Sequence, residues 1–116
     1  MDDVKIDQDR RAQWLRGVLD LCAMGLLAEG EAYGYQLTQR LADRGLGVIK
    51  GGTLYPILLR LERTGLVASA WRDGQSGPAR KYYELTPEGR TVLDHEADAW
   101  TAFAGRVSAI VTGDRP

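Results

Sequence analysis

Apolar residues in the middle of the chain repeat with the period of an amphipathic α-helix. Four of them stand at i, i+3, i+4 and i+7 and therefore share one face: Leu54, Ile57, Leu58 and Leu61. Arg60 points the opposite way. Thr53 is the predicted N-cap, Pro56 is placed in the first turn, and Gly65 ends the helix. The pattern predicts a helix over residues 51–64 with a basic outer face.

The next residues change to the period of two that is typical of β-strands. LVASAW predicts a first strand, DGQSGPA a turn and RKYYEL a returning strand, which together form a β-wing over residues 66–85. Because successive side chains of a strand point to opposite faces, Tyr82 and Tyr83 separate and one of them is packed. The sequence therefore predicts a two-stranded hairpin directly after the basic helix.

Two further helices are predicted upstream. The first spans residues 10–29, with an apolar face that includes Cys22, and Gly30 ends it. The second spans residues 33–44 and stops at Gly45. Packing is the predicted role of the thiol on the first helix.

The last helix is predicted to open at Thr86-Pro87-Glu88, which supplies an N-cap, a first-turn proline and an acid at the positive helix end. Its apolar residues follow spacings of 4, 3, 4, 3 and 4, which form a short heptad seam. A long helix with one apolar side needs a partner for that side, so we expect a homodimer. The predicted dimer contacts are Leu93, Ala97, Trp100, Phe103, Val107 and Val111.

These elements predict a mainly α protein with a small two-stranded β-wing, in which a winged helix-turn-helix precedes a long C-terminal dimerisation helix. We expect a flexible N-terminal arm over residues 1–9 and the winged helix-turn-helix over residues 10–86. The dimerisation helix is expected over residues 87–112 and a tail over residues 113–116. The length of 116 residues suits one such unit with a modest core.

The net charge of −1 conceals an uneven distribution. Residues 36–81 contain eight basic and three acidic residues, a local charge of +5, whereas the rest of the chain carries −6. A basic face on an acidic body is what localised contact with phosphates requires. Ordinary solvated charge is the alternative interpretation of the same numbers.

Other classes of protein find little support. The single cysteine cannot form an internal disulfide, which fits a reducing cytoplasm, and no apolar run is long enough for a membrane span. Residues 45–52 are rich in glycine and include a lysine, but they lack the pattern of a phosphate-binding loop. The only histidine, His95, has no second histidine or cysteine nearby, so we expect no metal site, no cofactor and no enzyme.

In a winged helix-turn-helix the third helix reads bases while neighbouring groups hold phosphates. The candidates for base reading are Thr53, Tyr55, Pro56 and Arg60. The candidates for phosphate contact are Tyr35, Gln36, Lys50, Arg72, Arg80 and Lys81, of which the last three are expected to cluster near the wing tip. Tyr55 has an alternative role, which is to brace its helix against the wing.

Several blocks of the chain resemble the PadR-like transcriptional regulators in order and spacing. They are LRGVLDL from position 15, YGYQL from 33, GTLYPILLRLERTGLV from 52, the tryptophan at 71 and GPARKYYELTPEGR from 77. The resemblance covers residues 14–93 and is typical of bacterial proteins. It implies a homodimeric repressor that binds a near-palindromic operator in double-stranded DNA.

The same resemblance implies a small-molecule site. In some short members of the family, aromatic rings near the dimer axis hold flat, often cationic drugs, and Trp100 stands at the matching spacing. We therefore expect a planar or cationic effector that releases DNA, with candidate contacts at Trp14, Leu21, Gly25, Ala97, Trp100 and Ala104. Ala97 and Ala104 depart from the family pattern because they provide no bulky aromatic or acidic partner. Filling the dimer core is the alternative role of Trp100.

Two other functions are compatible with the same residues. A winged-helix adaptor would use the basic face to bind an acidic protein, and it would show no preferred DNA sequence. A sensor in which ligand binding at Trp100 dominates would bind planar compounds without DNA.

Overall fold

The computed structural model describes residues 3–74 and 76–113, with side chains from residue 8 onward. Within these residues the chain forms five α-helices, one π-helical turn (Ala42–Leu46) and a three-stranded antiparallel sheet. In chain order the elements are α1 (Asp3–Leu15), α2 (Leu19–Ala28), β1 (Ala32–Tyr33), α3 (Gly34–Leu41), α4 (Gly51–Arg63), β2 (Val67–Arg72), β3 (Arg80–Leu85) and α5 (Pro87–Thr112). This mainly helical architecture with a long last helix agrees with the predicted fold class. No helix in the described ranges is long and apolar enough to cross a membrane.

The N-terminal helices differ from their prediction. The single helix expected over residues 10–29 is divided by a turn at residues 16–18, where Gly17 is a poor helix former. Helix α1 begins at Asp3, so residues 3–9 are helical where an arm was expected, and residues 1 and 2 lie outside the described part. The stretch DVKIDQD over residues 3–9 contains only two apolar residues, so it shows no helical period by which the sequence could have revealed this part of α1.

One apolar core joins α2, α3, α4 and the sheet. Its largest fully buried side chains are Leu19, Met24, Leu37, Leu41, Leu54, Leu58 and Val67. Leu54, Leu58 and Leu61 are the buried residues of α4, as the helical period predicts. Cys22 packs half-buried against this core, as predicted, and desolvation, with Asp20 as the smaller cause, raises the pKa of its thiol.

The sheet contains one strand more than the predicted wing. Strand β3 lies in the centre, pairs with β2 along its whole length and pairs with β1 on its other edge. In the register of β1, Ala32 is opposite Tyr83 and Tyr33 is opposite Tyr82. A strand of two residues is too short to show a period, so the sequence could not indicate it. Tyr82 and Tyr83 point to opposite faces as predicted, and Tyr83 is the buried one.

Helix α4 begins at Gly51, as its predicted range has it, but its N-cap is not Thr53. Lys50 is its N-cap, with an extended backbone and a carbonyl that accepts from the N–H groups of Thr53 and Leu54 at 2.9 and 3.1 Å. Thr53 is therefore inside the first turn and is not the cap, and Pro56 lies beyond that turn. The missing N–H of Pro56 leaves the Gly52 carbonyl without its intrahelical donor. Because Gly52 is exposed, water can replace that donor at low cost.

Helix α5 is fixed to the rest of the fold at its first turn. The Thr86 hydroxyl accepts from the Gly89 N–H at 3.0 Å, which is the predicted capping role, and donates to the Gly65 carbonyl at 2.7 Å. The Thr86 N–H donates to the Leu66 carbonyl at 3.1 Å. Gly65 ends α4 in the left-handed conformation, with φ of 80°. These four residues, hereafter the α5 joint, hold the start of α5 against the turn between α4 and β2.

Replacement of Gly89 by alanine is expected to lower the free energy of unfolding by about 1–3 kcal/mol. The added Cβ would lie 2.0 Å from the Leu66 carbonyl oxygen, a backbone atom that cannot rotate away. Gly105→Ala is the matched control, because it lies in the same helix and its Cβ would meet nothing within 4 Å. Urea unfolding followed by circular dichroism measures both variants. Equal stabilities would contradict the tight packing of the α5 joint.

Candidate nucleic-acid interface

The outer face of α4 carries three of the sequence-predicted site residues. Lys50, Thr53 and Pro56 are exposed on this face, while the opposite side of the helix is buried in the core. The first N–H groups of a helix carry a partial positive charge, and here they begin next to the Lys50 ammonium. The N-terminal end of α4 therefore presents two positive features where an anionic ligand can approach.

Tyr55 combines a packing role with an exposed one. A Cβ added to Gly34 would lie 2.5 Å from its ring, and one added to Gly51 would lie 2.9 Å from it, so the ring packs directly on both glycines. This contact braces α4 against the start of α3. Half of the residue is still exposed, and it lines a cleft that faces the wing. A brace against the wing was considered from sequence, whereas the close packing seen here is against the start of α3.

The two candidates on α3 differ in their availability. Tyr35 is exposed, and its hydroxyl accepts a hydrogen bond from Gln39 Nε2 at 2.8 Å. Gln36 instead turns back to its own helix, where its Oε1 accepts from the Tyr33 N–H at 3.2 Å. Gln36 therefore caps α3, whereas Tyr35 remains accessible at the surface.

Arg60 leans toward α2 and away from the wing. Its Nη2 lies 3.8 Å from the Asp20 Oδ2, and both side chains are largely exposed. A solvent-exposed pair at this distance contributes little to stability, about 0–1 kcal/mol. The guanidinium can exchange this partner for another anion without a large penalty.

The wing divides its three basic residues between the two faces of the sheet. Arg80 and Lys81 are neighbours in β3, so their side chains point to opposite faces of the sheet. Arg72, directly opposite Arg80 in the register, lies on the outer face with it. Lys81 lies on the inner face, toward α4, opposite Trp71. The three basic residues therefore lie together at the tip end of the wing, but the alternation of the strand divides them between its two faces.

On the outer face, arginines stack on aromatic rings. The guanidinium of Arg72 lies 4.6 Å from the centroid of Tyr82, and that of Arg80 lies 4.6 Å from the centroid of Tyr33. The two tyrosines meet edge to face at 5.3 Å. Such cation–π contacts orient both arginines along the sheet.

Glu31 neutralises one arginine of this outer face. Arg72 donates two hydrogen bonds to its carboxylate, one of them from Nη2 to Oε1 at 2.5 Å. These hydrogen bonds hold the pKa of Glu31 below its usual value and raise the pKa of Arg72. The pairing joins positions 41 residues apart, so no local pattern in the sequence could indicate it.

On the inner face, Glu62 connects α4 with the wing. Its carboxylate accepts from the Ser69 hydroxyl at 2.5 Å and lies 3.4 Å from the Lys81 ammonium. The Ser69 hydrogen bond, with Lys81 as a smaller cause, holds the pKa of Glu62 below its usual value. We call Glu62, Ser69 and Lys81 the helix–wing link, because it fixes the wing relative to α4.

A second cleft, of about 630 Å³, lies between α1 and α5. Its lining includes Trp14, Trp100 and Ala104 from the predicted ligand set, together with Phe103, whose ring centroid lies 6.3 Å from that of Trp100. The other members of the predicted set, Leu21, Gly25 and Ala97, do not line it. Sequence reasoning also missed Arg11, which lies on the same helix as Trp14, and Leu46, which ends the π-helical turn.

The apolar side of α5 is open beyond its first turns. Leu93 is half-buried against the core of its own chain, so it is not fully available to a partner. Trp100, Phe103, Val107 and Val111 are between 42% and 73% exposed, and Ala97 is exposed as well. A stripe of large apolar side chains along a projecting helix marks an interaction surface.

Three helices, α2, α3 and α4, followed by a β-hairpin define a winged helix-turn-helix protein. The sequence profile of the PadR-like transcriptional regulator family matches residues 23–95. The chain belongs to this family, which confirms the resemblance seen in its sequence blocks.

Relatives and solved structures agree with this assignment. The chain is 38% identical to the transcriptional regulator Rv3488 of Mycobacterium tuberculosis over 95 residues, which are 82% of this chain and 87% of the relative. It is similar to the PadR-family regulator of Eggerthella lenta, with a TM-score of 0.81, 38% identity and 96% of each chain covered. The PadR-like regulator of Bacillus cereus gives a TM-score of 0.77 at 31% identity, with 88% of this chain and 99% of that one covered. These matches confirm the predicted fold class.

Proposed function

We propose that the chain is a homodimeric DNA-binding repressor that reads a near-palindromic operator with α4 and the wing. One observation carries the proposal: Tyr55 of α4 and the basic wing residues Arg80 and Lys81 line a single cleft in a chain of the PadR-like family. Two copies related by a two-fold axis would place two α4 helices about one helical turn of DNA apart. Repression then follows from occlusion of a promoter.

The positions of the side chains suggest a division of labour at this interface. Thr53 and Pro56 stand on the open face of α4 and would contact base edges, with Tyr55 and Arg60 on either side of them. Lys50 at the N-cap would hold a phosphate together with the helix N-terminus. Tyr35 is accessible for a second phosphate contact, whereas Gln36 would act through its cap of α3.

The basic residues of the wing would contact phosphates or the adjoining minor groove. Arg80 is exposed and held in place by the Tyr33 ring. Arg72 and Lys81 would first have to exchange the carboxylates of Glu31 and Glu62 for phosphates. Among the three, Arg80 is therefore the one from which we expect the most direct contact.

The apolar stripe of α5 supports the homodimer. A second copy of the chain would cover Trp100, Phe103, Val107 and Val111 and would remove their exposed area from water. A dimer through α5 also fixes the distance between two α4 helices, because the α5 joint ties each α5 to its own α4.

The cleft between α1 and α5 supports an effector site for a planar cation. Trp14, Trp100 and Phe103 offer aromatic surface to such a ligand, and stacking and cation–π contacts favour flat, positively charged molecules. Arg11 is the only charged residue among the described lining side chains, so no carboxylate there would pair with a cationic ligand. The aromatic rings of the cleft alone would hold the ligand. The effector would favour one of two dimer geometries and thereby release the operator.

The adaptor alternative uses the same basic surface for an acidic protein. It predicts a shallow dependence of DNA affinity on salt and no preferred sequence, so one experiment distinguishes the two functions.

If six phosphates are contacted, the log–log salt slope of DNA binding is expected near −5. Fluorescence anisotropy on a duplex selected from a random pool, with a scrambled duplex beside it, should show a preference of about a thousandfold. Arg80→Ala should weaken binding to both duplexes and reduce the magnitude of the salt slope by about 1. Arg106→Ala, which removes the same charge from α5, is the control. A shallow slope and no selected site would favour the adaptor.

Val111→Asp is expected to weaken the dimer at least about tenfold, because the new carboxylate would be buried without a partner. Ala109→Asp places the same charge on the opposite side of α5 and should leave the dimer intact. Sedimentation velocity over a concentration series measures both, with circular dichroism to verify folding. A monomeric wild type, or equal effects of the two variants, would contradict an α5 interface.

Acridine orange, a planar cation, is expected to quench the tryptophan fluorescence of the DNA-free protein to saturation. Trp100→Ala should abolish saturable quenching, whereas Trp71→Phe should retain it, since Trp71 is in the wing and not in the α1–α5 cleft. Retention of binding by Trp100→Ala would leave Trp100 with the role of filling the dimer core.

A further inference from the structure

Trp71 is an exposed tryptophan on the inner face of the wing. It is 69% exposed, although it lies in a paired strand, one residue from the end of β2, with Lys81 directly opposite. It lines the cleft of about 400 Å³ between the wing and the starts of α3 and α4, together with Tyr33, Gly34, Tyr55, Ala79, Arg80, Lys81 and Tyr83. An indole left this open is not required by the fold of its own chain, and tryptophan is enriched where proteins bind partners.

The charge around this cleft indicates the chemistry of its occupant. Arg80 and Lys81 are among its lining residues, and its other walls are mainly aromatic and aliphatic. A suitable occupant therefore alternates anionic groups with apolar surface. A DNA strand has this composition, because its phosphates alternate with deoxyribose rings whose C–H faces are apolar.

The position of the cleft points to the same occupant. It separates α4, proposed for the major groove, from the wing, proposed for the minor groove. In a duplex the two grooves are separated by one sugar–phosphate strand, which must then pass between the two elements.

We propose that this cleft holds one strand of the DNA backbone, with the Trp71 indole packed on a deoxyribose and Lys81 on an adjacent phosphate. Lys81 is 3.4 Å from Glu62 and would leave this carboxylate when the phosphate arrives. Trp71 is then a positioning residue for DNA that contributes affinity without reading sequence. The proposal rests on the DNA-binding function proposed above.

Trp71→Ala is expected to weaken binding about tenfold on the selected and the scrambled duplex alike. The log–log salt slope should not change, because the substitution removes no charge. Lys81→Ala provides the contrast, since it should reduce the slope by about 1. Trp71→Phe should recover most of the affinity, because phenylalanine keeps an aromatic face.

Fluorescence reports the contact directly. In a chain with Trp14→Phe and Trp100→Phe, Trp71 is the remaining tryptophan. Its quenching by acrylamide, a neutral quencher that DNA phosphates do not repel, is expected to fall at least about threefold when DNA saturates the protein, because a strand would cover most of the exposed indole. This readout does not depend on whether Trp71→Ala folds.

The outcomes distinguish this inference from the broader proposal. Absence of DNA binding by the wild-type chain would overturn both. Normal, salt-dependent DNA binding with unchanged acrylamide quenching of Trp71, or with full affinity of a folded Trp71→Ala variant, would overturn the role of Trp71 alone.

Discussion

The α5 joint is the contact on which the rest of the arrangement depends, because one threonine connects three elements. Thr86 caps α5 through Gly89 and donates to Gly65, the residue at which α4 has ended. Its N–H extends the connection to Leu66, immediately before β2. The approach is so close that no side chain fits at Gly89. A tilt of α5 must therefore carry the end of α4 and the start of the wing with it.

The helix–wing link fixes α4 to the wing, as the α5 joint fixes the end of α4 to α5. Glu62 projects from α4 and binds Ser69 and Lys81 on the two wing strands, so α4 and the wing keep their spacing. The cleft between α1 and α5, in contrast, is bordered by an exposed N-terminal helix. If an effector binds there as proposed, it would change the angle of α5 and hence the distance between two rigid heads. The shape of each head would stay the same, which is the rigid-body type of switch.

The sequence revealed those parts of the fold that repeat with a period. The apolar face of α4, the alternation of β3 and the cap of α5 were predicted from neighbouring residues, and Leu54, Tyr83 and Thr86 lie where those patterns place them. Features without a local pattern were missed: a two-residue strand, the first seven residues of α1, and the pairing of Glu31 with Arg72. The candidate site followed the same rule. Its residue types were predicted, but their division between two wing faces became visible only with the strand register.

Charge at the proposed interface is more balanced than the sequence count suggests. Three of its basic side chains have carboxylate partners: Arg60 with Asp20, Arg72 with Glu31 and Lys81 with Glu62. These pairs are solvent-accessible, so replacing a carboxylate by a phosphate costs little and also gains little. Non-specific affinity depends on the phosphates that are neutralised, and the internal carboxylates keep that number low. Of the α4 side chains proposed to contact base edges, Thr53, Tyr55 and Pro56 carry no charge to be balanced, and Arg60 is the one paired with a carboxylate. The acidic residues would thus favour discrimination over total affinity, which is what a regulator needs when other DNA vastly outnumbers its operator.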